Sequence, residues 1–386
     1  MAFATIGTTG IANDAVTSAK VAPGVVDTEA QPNQAPIIIN GDMAVAQRGT
    51  STGITTPGYY ACDRFQTAIG NLATWTISQD SDVPSGYGFA NSLKLDCTTA
   101  DASPSTGEVL IVRQRFEGQD VQLLKKGTSS AEKVTVAFWI KATKTGTNIL
   151  ELFDRDNSRT ISQSYTISSS NTWEYKVINF SADTTGTLDD DNNLSFEIAW
   201  WLGSGTDYTS GTLQTSWGSQ TDADRAVGQV NHGDSTSNNV FITGVQMEVG
   251  EFTSSTIPPF KHESFGDNLR RCQRYYYKLK NDSGSATGAY WGSGLIDSST
   301  TLKSPIRFPT MRTVPSAFET TGTASDYRVW TSGNTSTVCS SIPTLDQITS
   351  FSGRLLFTVS SGLTAGQVGA YRSSTTDAYL AWSAEL

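Results

Sequence analysis

The sequence has few of the residues that build metal or redox sites. Its 386 residues include only two histidines, His232 and His262, which are distant in sequence and have no metal-binding cluster around them. The four cysteines are also far apart and form no CxxC pair, so their spacing does not indicate a zinc site. We expect them to be small buried side chains in a protein made in a reducing cytoplasm. They are Cys62, Cys97, Cys272 and Cys339.

Long apolar runs and positive charge are scarce as well. No stretch of about 18 apolar residues is present, so no membrane insertion is predicted. The first residues, MAFATIGTTG, lack a basic region followed by a long apolar core, so we expect no signal peptide and release by another route such as lysis. The formal net charge of −10 repels phosphate backbones, which argues against nucleic-acid binding.

What the chain does contain is short apolar alternation between loops rich in Gly, Ser, Asp and Asn. In KVTVAFWIKA, alternate residues from Val134 to Ile140 fall on one face of a strand. In LSFEIAWWLG, the residues from Phe196 to Leu202 alternate in the same way. Many short antiparallel strands with polar loops predict an all-β fold, with a jelly-roll β-sandwich over 37–262. Strand patterns resume over 281–386 and predict a smaller C-terminal β domain.

Two other segments differ from these. Residues 1–36 are mostly small and polar, with too little apolar surface to fold alone, and predict an extended arm. Residues 263–280 carry an apolar 4-3-4-3 spacing from Phe265 to Leu279, which predicts a linking helix capped by Ser264. The tyrosine-rich stretch is also compatible with a strand that begins near Tyr275. The basic residues near the end of the predicted helix have a structural explanation, because cations stabilise the C-terminal end of a helix.

Several stretches resemble bacteriophage tail-fibre and other virion appendage proteins. IIINGDMAVAQRGTS and YACDRF, within 37–65, resemble the start of a carbohydrate-binding-module-like domain of that family. GVQMEVGEFTSSTIPPFKHESFGDNLRRCQRYYYKL, at 244–279, resembles its closing segment. SPIRFPTMRTVPS and AYLAWSAEL resemble the domain that follows, and the arm resembles repetitive fibre leaders. The middle of the chain, 66–240, resembles that family only in its general pattern of strands and polar loops.

The resemblance implies a jelly roll in a virion appendage, a homotrimer, and a host-surface glycan as the ligand. The N-terminal arm would attach to other tail or virion proteins through the apolar positions Ile11, Val16, Val21 and Val26. The C-terminal domain would then be distal. The chain lacks room for the long shaft of such fibres. The sequence is therefore compatible with a short tail fibre and with a head appendage.

Aromatic side chains that point away from the core face of their strand are the candidates for sugar contact, because aromatic rings stack on the faces of pyranose rings. Trp201 is out of phase with the core face of its strand and near Glu197, and Trp139 is placed similarly. The alternative for each is a place in a second packed layer or a subunit contact. A second candidate set lies in the C-terminal domain: Tyr290, Trp291, Trp330, Tyr371 and Tyr379.

Two acidic clusters offer the hard oxygen ligands that calcium prefers. FDRDNS contains Asp154 and Asp156, and LDDDNN contains Asp189, Asp190 and Asp191. Neither has the spacing of an EF-hand loop. A structural calcium ion and a solvated acidic loop are the two readings, and no other cofactor is expected.

Enzyme signatures are not found. The sequence contains no GxSxG, HExxH or phosphate-binding loop, and no spacing pairs the carboxylates of Asp63, Glu108, Glu117 and Glu197 for glycoside cleavage. We therefore expect a non-enzymatic virion protein that binds a host glycan. A purely structural virion protein and a polysaccharide depolymerase are the alternatives.

Overall fold

The computed structural model describes residues 35–281, 288–331 and 335–386. The described chain is nearly all β, which confirms the predicted fold class. The arm positions Ile11, Val16, Val21 and Val26 lie outside the described residues. No helix of the described part is both long and apolar enough to cross a membrane.

The first β unit is a sandwich of two antiparallel sheets. In the part of it that is described, the strands are β1 Ser51–Ile54, β2 Gly58–Tyr59, β3 Gln66–Gly70, β4 Thr74–Asp80, β5 Ser92–Thr99, β6 Val109–Glu117, β7 Val134–Ala142, β8 Gly146–Asp154, β9 Arg159–Ile167, β10 Glu174–Phe180, β11 Leu194–Ser204, β12 Gly218–Ser219 and β13 Asn239–Val249. The first sheet has the order β1-β4-β5-β13-β7-β10, and the second sheet has the order β12-β9-β8-β11-β6-β3-β2. Short 3₁₀ turns occur at 118–120, 122–124 and 222–224.

The sandwich core lies between these sheets and follows the alternation read from the sequence. Val136, Phe138 and Ile140 of β7 are fully buried against the second sheet. Ile198 and Trp200 of β11 are fully buried from the other side. Burying such apolar side chains stabilises the fold by about 1.5–3 kcal/mol each. The four cysteines are free and buried, as predicted.

The second β unit follows the helix α1 Phe265–Gln273. Its strands in the described residues are β14 Tyr276–Lys280, β15 Tyr290–Ile296, β16 Thr301–Arg307, β17 Ala317–Thr320, β18 Tyr327–Thr331, β19 Thr335–Val338, β20 Thr344–Asp346, β21 Ser352–Thr358, β22 Val368–Ser373 and β23 Tyr379–Ser383. The third sheet is β14-β23-β17, and the fourth sheet is β19-β18-β22-β15-β16-β21-β20. A further 3₁₀ turn spans 324–326. Trp382 is buried at the centre of a separate core.

The linking helix is shorter than predicted. Ser264 caps its start by accepting a hydrogen bond from the backbone N–H of Asp267, as expected, but the helix ends at Gln273 rather than at 280. Consecutive tyrosines favour a strand, and β14 satisfies its backbone by pairing with β23. Phe265, predicted to face inward, is 60% exposed.

The basic residues of this segment hold neighbouring parts of the chain together. Arg274 forms a bidentate contact with Glu117 of β6, with N–O distances of 2.7 and 2.6 Å. The hydroxyl of Tyr275 donates to the same carboxylate at 2.6 Å. Arg271 bonds Glu263 and the carbonyl of Pro36. Their structural reading from the sequence agrees with these contacts.

The joint between the two β units is built from the segments 40–64, 268–276 and 384–386. Arg64, only 1% exposed, forms an ion pair with Glu385, and its guanidinium lies 3.4 Å from the ring centroid of Tyr275. Arg48 lies 3.2 Å from the same carboxylate and stacks on Tyr276 at 3.5 Å. Burial opposes the charge of Arg64, but the carboxylate of Glu385 raises its pKa above the usual value. The guanidinium of Arg64 therefore stays charged at the centre of the joint.

Removal of the Glu385 carboxylate should weaken this joint. Glu385→Ala leaves the buried guanidinium of Arg64 without its anion, which typically costs about 3–5 kcal/mol. We expect a lower urea midpoint by circular dichroism. The matched control is Glu251→Ala, because Glu251 and Lys133 form a pair in which both side chains are 55% exposed, worth about 0–1 kcal/mol. Equal effects of the two variants would contradict the role given to Glu385.

Candidate functional site

The outer face of the first sheet carries half-exposed aromatic side chains. In the register of β13, β7 and β10, Thr243 pairs with Trp139, which pairs with Tyr175. Because alternate residues of a strand point to opposite faces, Trp139 lies on the side away from Phe138. Trp139 is therefore placed on the outer face, as its phase in the sequence predicted.

Three rings form a continuous strip on this face. Tyr87, from the loop between β4 and β5, is 57% exposed, and its ring centroid lies 4.3 Å from that of Trp139. Tyr175 lies 5.1 Å from Trp139 on the other side. The strip is extended by Phe89, Phe260 and His262, whose ring centroids lie 4.9–5.3 Å apart. We call these six residues the aromatic surface.

A bulge in β13 joins the two halves of the aromatic surface. The register of β13 against β7 shifts between Thr243 and Gln246, and Gly244 adopts a φ of 60° at that point. A side chain at Gly244 would collide with Phe89 on one side and press on Trp139 on the other. Glycine is thus required both by its positive φ and by the close approach of the rings.

Polar groups border the aromatic surface at both ends. Asp82 forms an ion pair with Lys141 and accepts a hydrogen bond from the indole Nε1 of Trp173 at 3.0 Å. Lys141 also lies over the ring of Phe241 at 4.6 Å. Lys141 is two residues from Trp139 on β7 and therefore shares its face.

The other end is marked by Glu248 of β13. Burial raises the pKa of its carboxyl above the usual value, and the ammonium of Lys261 opposes that shift. Burial also raises the pKa of Tyr175 to about 12, with a smaller contribution from Glu248. Tyr175 is therefore a neutral hydroxyl at physiological pH and can both donate and accept hydrogen bonds. Flat rings bordered by such groups suit the apolar faces and rim hydroxyls of pyranose sugars.

Trp201 and Glu197 do not belong to such a surface, and their prediction as sugar contacts is wrong. Both point away from the sandwich core, but the loop that follows β11 covers the second sheet. Trp201 is fully buried against Tyr208, 5.3 Å away, and donates to Glu151. A second packed layer, the alternative left open by the sequence, therefore explains Trp201.

Glu197 is an internal anchor for three arginines. Its carboxylate lies 3.3 Å from Arg113, 3.1 Å from Arg115 and 2.9 Å from Arg155. Burial alone would raise its pKa, but these guanidinium groups lower the pKa below the usual value. Glu197 is thus a structural anion with no free face for a ligand.

The C-terminal candidates differ in where the structure places them. Tyr371 is buried and stacks on Phe357 at 4.6 Å, while Trp291 packs against the core beside Tyr327. Tyr371 is a core residue, so its prediction as a sugar contact is wrong. Trp291 is only partly buried against that core, and its role as a sugar contact stays a prediction. Tyr379 pairs with Lys280 and lies under the ammonium of Lys278. Tyr290 and Trp330 remain together on an outer face, with ring centroids 5.7 Å apart.

The acidic clusters do not form a calcium site. Asp154 is fully buried, pairs with Lys126 and accepts from Asn157. Asp156 accepts from the backbone of Asp189 at 2.9 Å. Asp190 is exposed, and Asp191 accepts from the backbone N–H of Asn193. Across residues 35–281, 288–331 and 335–386, no group of three or more potential ligands is present. The ammonium of Lys126 occupies the position that a cation would take.

Sequence reasoning found Trp139 but not its neighbours. Tyr175 sits in a strand that the alternation of TWEYKVINF predicts, yet the register that places it beside Trp139 is set by pairing between residues 36 positions apart. Tyr87, Phe89, Phe260 and His262 come from loops, whose positions no periodicity specifies. Which loops lie near β7 depends on the order of strands in the sheet, and the sequence pattern does not give that order.

Comparison with known proteins gives a fold likeness only. No protein-family model matches the sequence, and no curated protein matches it. Among solved structures, the enzymatically active domain of tailspike protein 4 from bacteriophage CBA120 is similar over 55% of this chain and 21% of its own, with 13% identity and a TM-score of 0.29. This chain thus spans about a fifth of that tailspike chain.

Two further similar structures are carbohydrate-binding modules. The family 11 module from Clostridium thermocellum, in complex with a mixed-linked tetrasaccharide, matches 53% of this chain and 97% of its own, with 12% identity and a TM-score of 0.28. TmCBM61, in complex with β-1,4-galactotriose, matches 52% and 99%, with 10% identity and a TM-score of 0.25. At these TM-scores the likenesses carry no argument about function.

Proposed function

We propose that this protein binds a saccharide of a bacterial cell surface through the aromatic surface, without cleaving it. The observation that carries the proposal is the strip formed by Tyr87, Trp139 and Tyr175. Its rings are partly open to solvent over the outer face of the first sheet, next to groups that can bond hydroxyls. Large aromatic side chains left open on a soluble protein mark binding surfaces.

We infer the biological setting from the sequence resemblance. We place the chain in a bacteriophage particle, as a tail fibre or other appendage that contacts the host during adsorption. In this setting the arm 1–36 attaches the protein to other virion proteins, and three copies form the working unit. Each sugar contact is weak, and several copies held together raise apparent affinity by about 10²–10⁴-fold.

The purely structural alternative also has an observation in its favour. Leu295 and Val368 are cross-strand neighbours on the fourth sheet, and their side chains are 55% and 65% exposed. An exposed apolar pair of this kind suits a contact between subunits. Such a contact would build the oligomer and is compatible with glycan binding elsewhere on the chain.

The test of the proposed function is binding of labelled protein to a panel of bacteria. Trp139→Ala should reduce adhesion to the strains that bind by about tenfold or more, because it removes the central stacking ring. Trp217→Ala is the matched control, since Trp217 is a half-buried indole at the edge of the second sheet, near β9. Soluble surface polysaccharide should compete. Adhesion that Trp139→Ala leaves unchanged would contradict the proposal.

Attachment through the arm has its own test. Deletion of residues 1–36 removes none of the described sandwich strands, so the globular part should fold with an unchanged circular dichroism spectrum. We expect the truncated protein to be missing from assembled particles by immunoblot. Incorporation at the full level would refute the anchoring role.

A further inference from the structure

The outer face of the fourth sheet contains a row of side chains that the proposed function does not use. Tyr290 of β15 pairs with Arg372 of β22, which pairs with Arg328 of β18. Trp330 is two residues from Arg328 on the same strand, and therefore shares its face. Two arginines and two aromatic rings thus stand side by side.

Arg372 is fixed between the two rings. Its guanidinium lies 3.9 Å from the ring centroid of Trp330 and 5.7 Å from that of Tyr290. Stacking of this kind holds the planar group in one orientation and uses none of its N–H donors. Tyr290 is 60% exposed, so one face of the row is open to a ligand.

The positive charge of this row has no acidic partner among the described residues. Arg328 bonds the hydroxyls of Ser374 and Ser336, and no carboxylate of the described chain lies within 4.0 Å of either arginine. The Nε of Arg372 is shielded from solvent and has no hydrogen-bond partner among the described residues. Elsewhere on the same sheet, the cations of Arg354 and Lys303 each have an aspartate.

Such a pair is unexpected in a protein of net charge −10. Like charges directly opposite each other on a sheet are destabilising, so Arg328 and Arg372 repel unless an anion lies between them. Acidic residues outnumber basic residues in the chain. One of them pairs with Arg354, but no carboxylate of the described residues pairs with Arg372. The row is therefore suited to an anion supplied from outside.

We propose that Tyr290, Arg328, Trp330 and Arg372 form a subsite for a carboxylated sugar, a uronic acid residue. The sugar ring stacks on Tyr290, and the guanidinium of Arg372 binds the carboxylate with the help of Arg328. A planar fork matches a carboxylate better than an ammonium does, which accounts for arginine at both positions. This inference rests on the proposed glycan binding, but it assigns a second location and a charged class of sugar.

The test is calorimetric titration of the full chain with three probes: a galacturonate hexamer, a hyaluronan hexamer and the methyl-esterified galacturonate hexamer. We expect one of the two acidic probes to bind. The ester should bind at least about tenfold more weakly, because it keeps the ring and loses the charge. Arg372→Met should weaken binding of the acidic probe by about tenfold or more. Arg372→Lys, which keeps the charge and much of the stem packing, should give a smaller loss.

The matched control is Arg354→Met, which removes an ion-paired arginine from the same sheet. It should leave binding unchanged, and thermal unfolding of all variants should establish that they are folded. Failure of both acidic probes, equal binding of the ester, or an equal loss in Arg354→Met would overturn the subsite. If Trp139-dependent adhesion persists in that case, only this inference fails; if adhesion also fails, the proposed function fails with it.

Discussion

The carboxylate of Glu385 lies between the guanidinium groups of Arg48 and Arg64, and the placement of the two β units depends on this contact. Each arginine stacks on a tyrosine that follows the helix, so one anion ties together the start of the sandwich, the linking segment and the residues after the last strand. The stretches that resemble virion appendage proteins supply these groups. Their residues thus hold the fold, and the ligand-binding surfaces lie elsewhere.

This division explains the basic, aromatic segment in an otherwise acidic chain. Arg271 and Arg274 are bonded to carboxylates or carbonyls of neighbouring elements, and Tyr275 completes the contact with Glu117. None of these three is left to bind a ligand. Side chains that are open to a ligand lie on two surfaces: the outer face of the first sheet, around Trp139, and the outer face of the fourth sheet, around Arg372.

The sequence predicted what depends on local pattern. Alternation located β7 and β11 and placed Phe138 and Trp200 in the core, and the cap at Ser264 located the start of the helix. It could not predict what depends on distant partners. Trp201 has the same outward phase as Trp139, but only the fold shows that a loop covers one and leaves the other half exposed. Likewise, Lys126 lies 28 residues from Asp154 and neutralises the carboxylate that composition offered to calcium.

The most direct test of the account is ¹⁹F NMR of protein labelled with 5-fluorotryptophan. The chain has nine tryptophans, and the Trp139 resonance can be assigned by its loss in Trp139→Phe. Polysaccharide from a bacterium to which the protein adheres should shift this resonance and leave those of the fully buried Trp75, Trp200 and Trp201 in place. Adhesion with no change at Trp139 would contradict the central claim that the first sheet is the surface that meets the sugar.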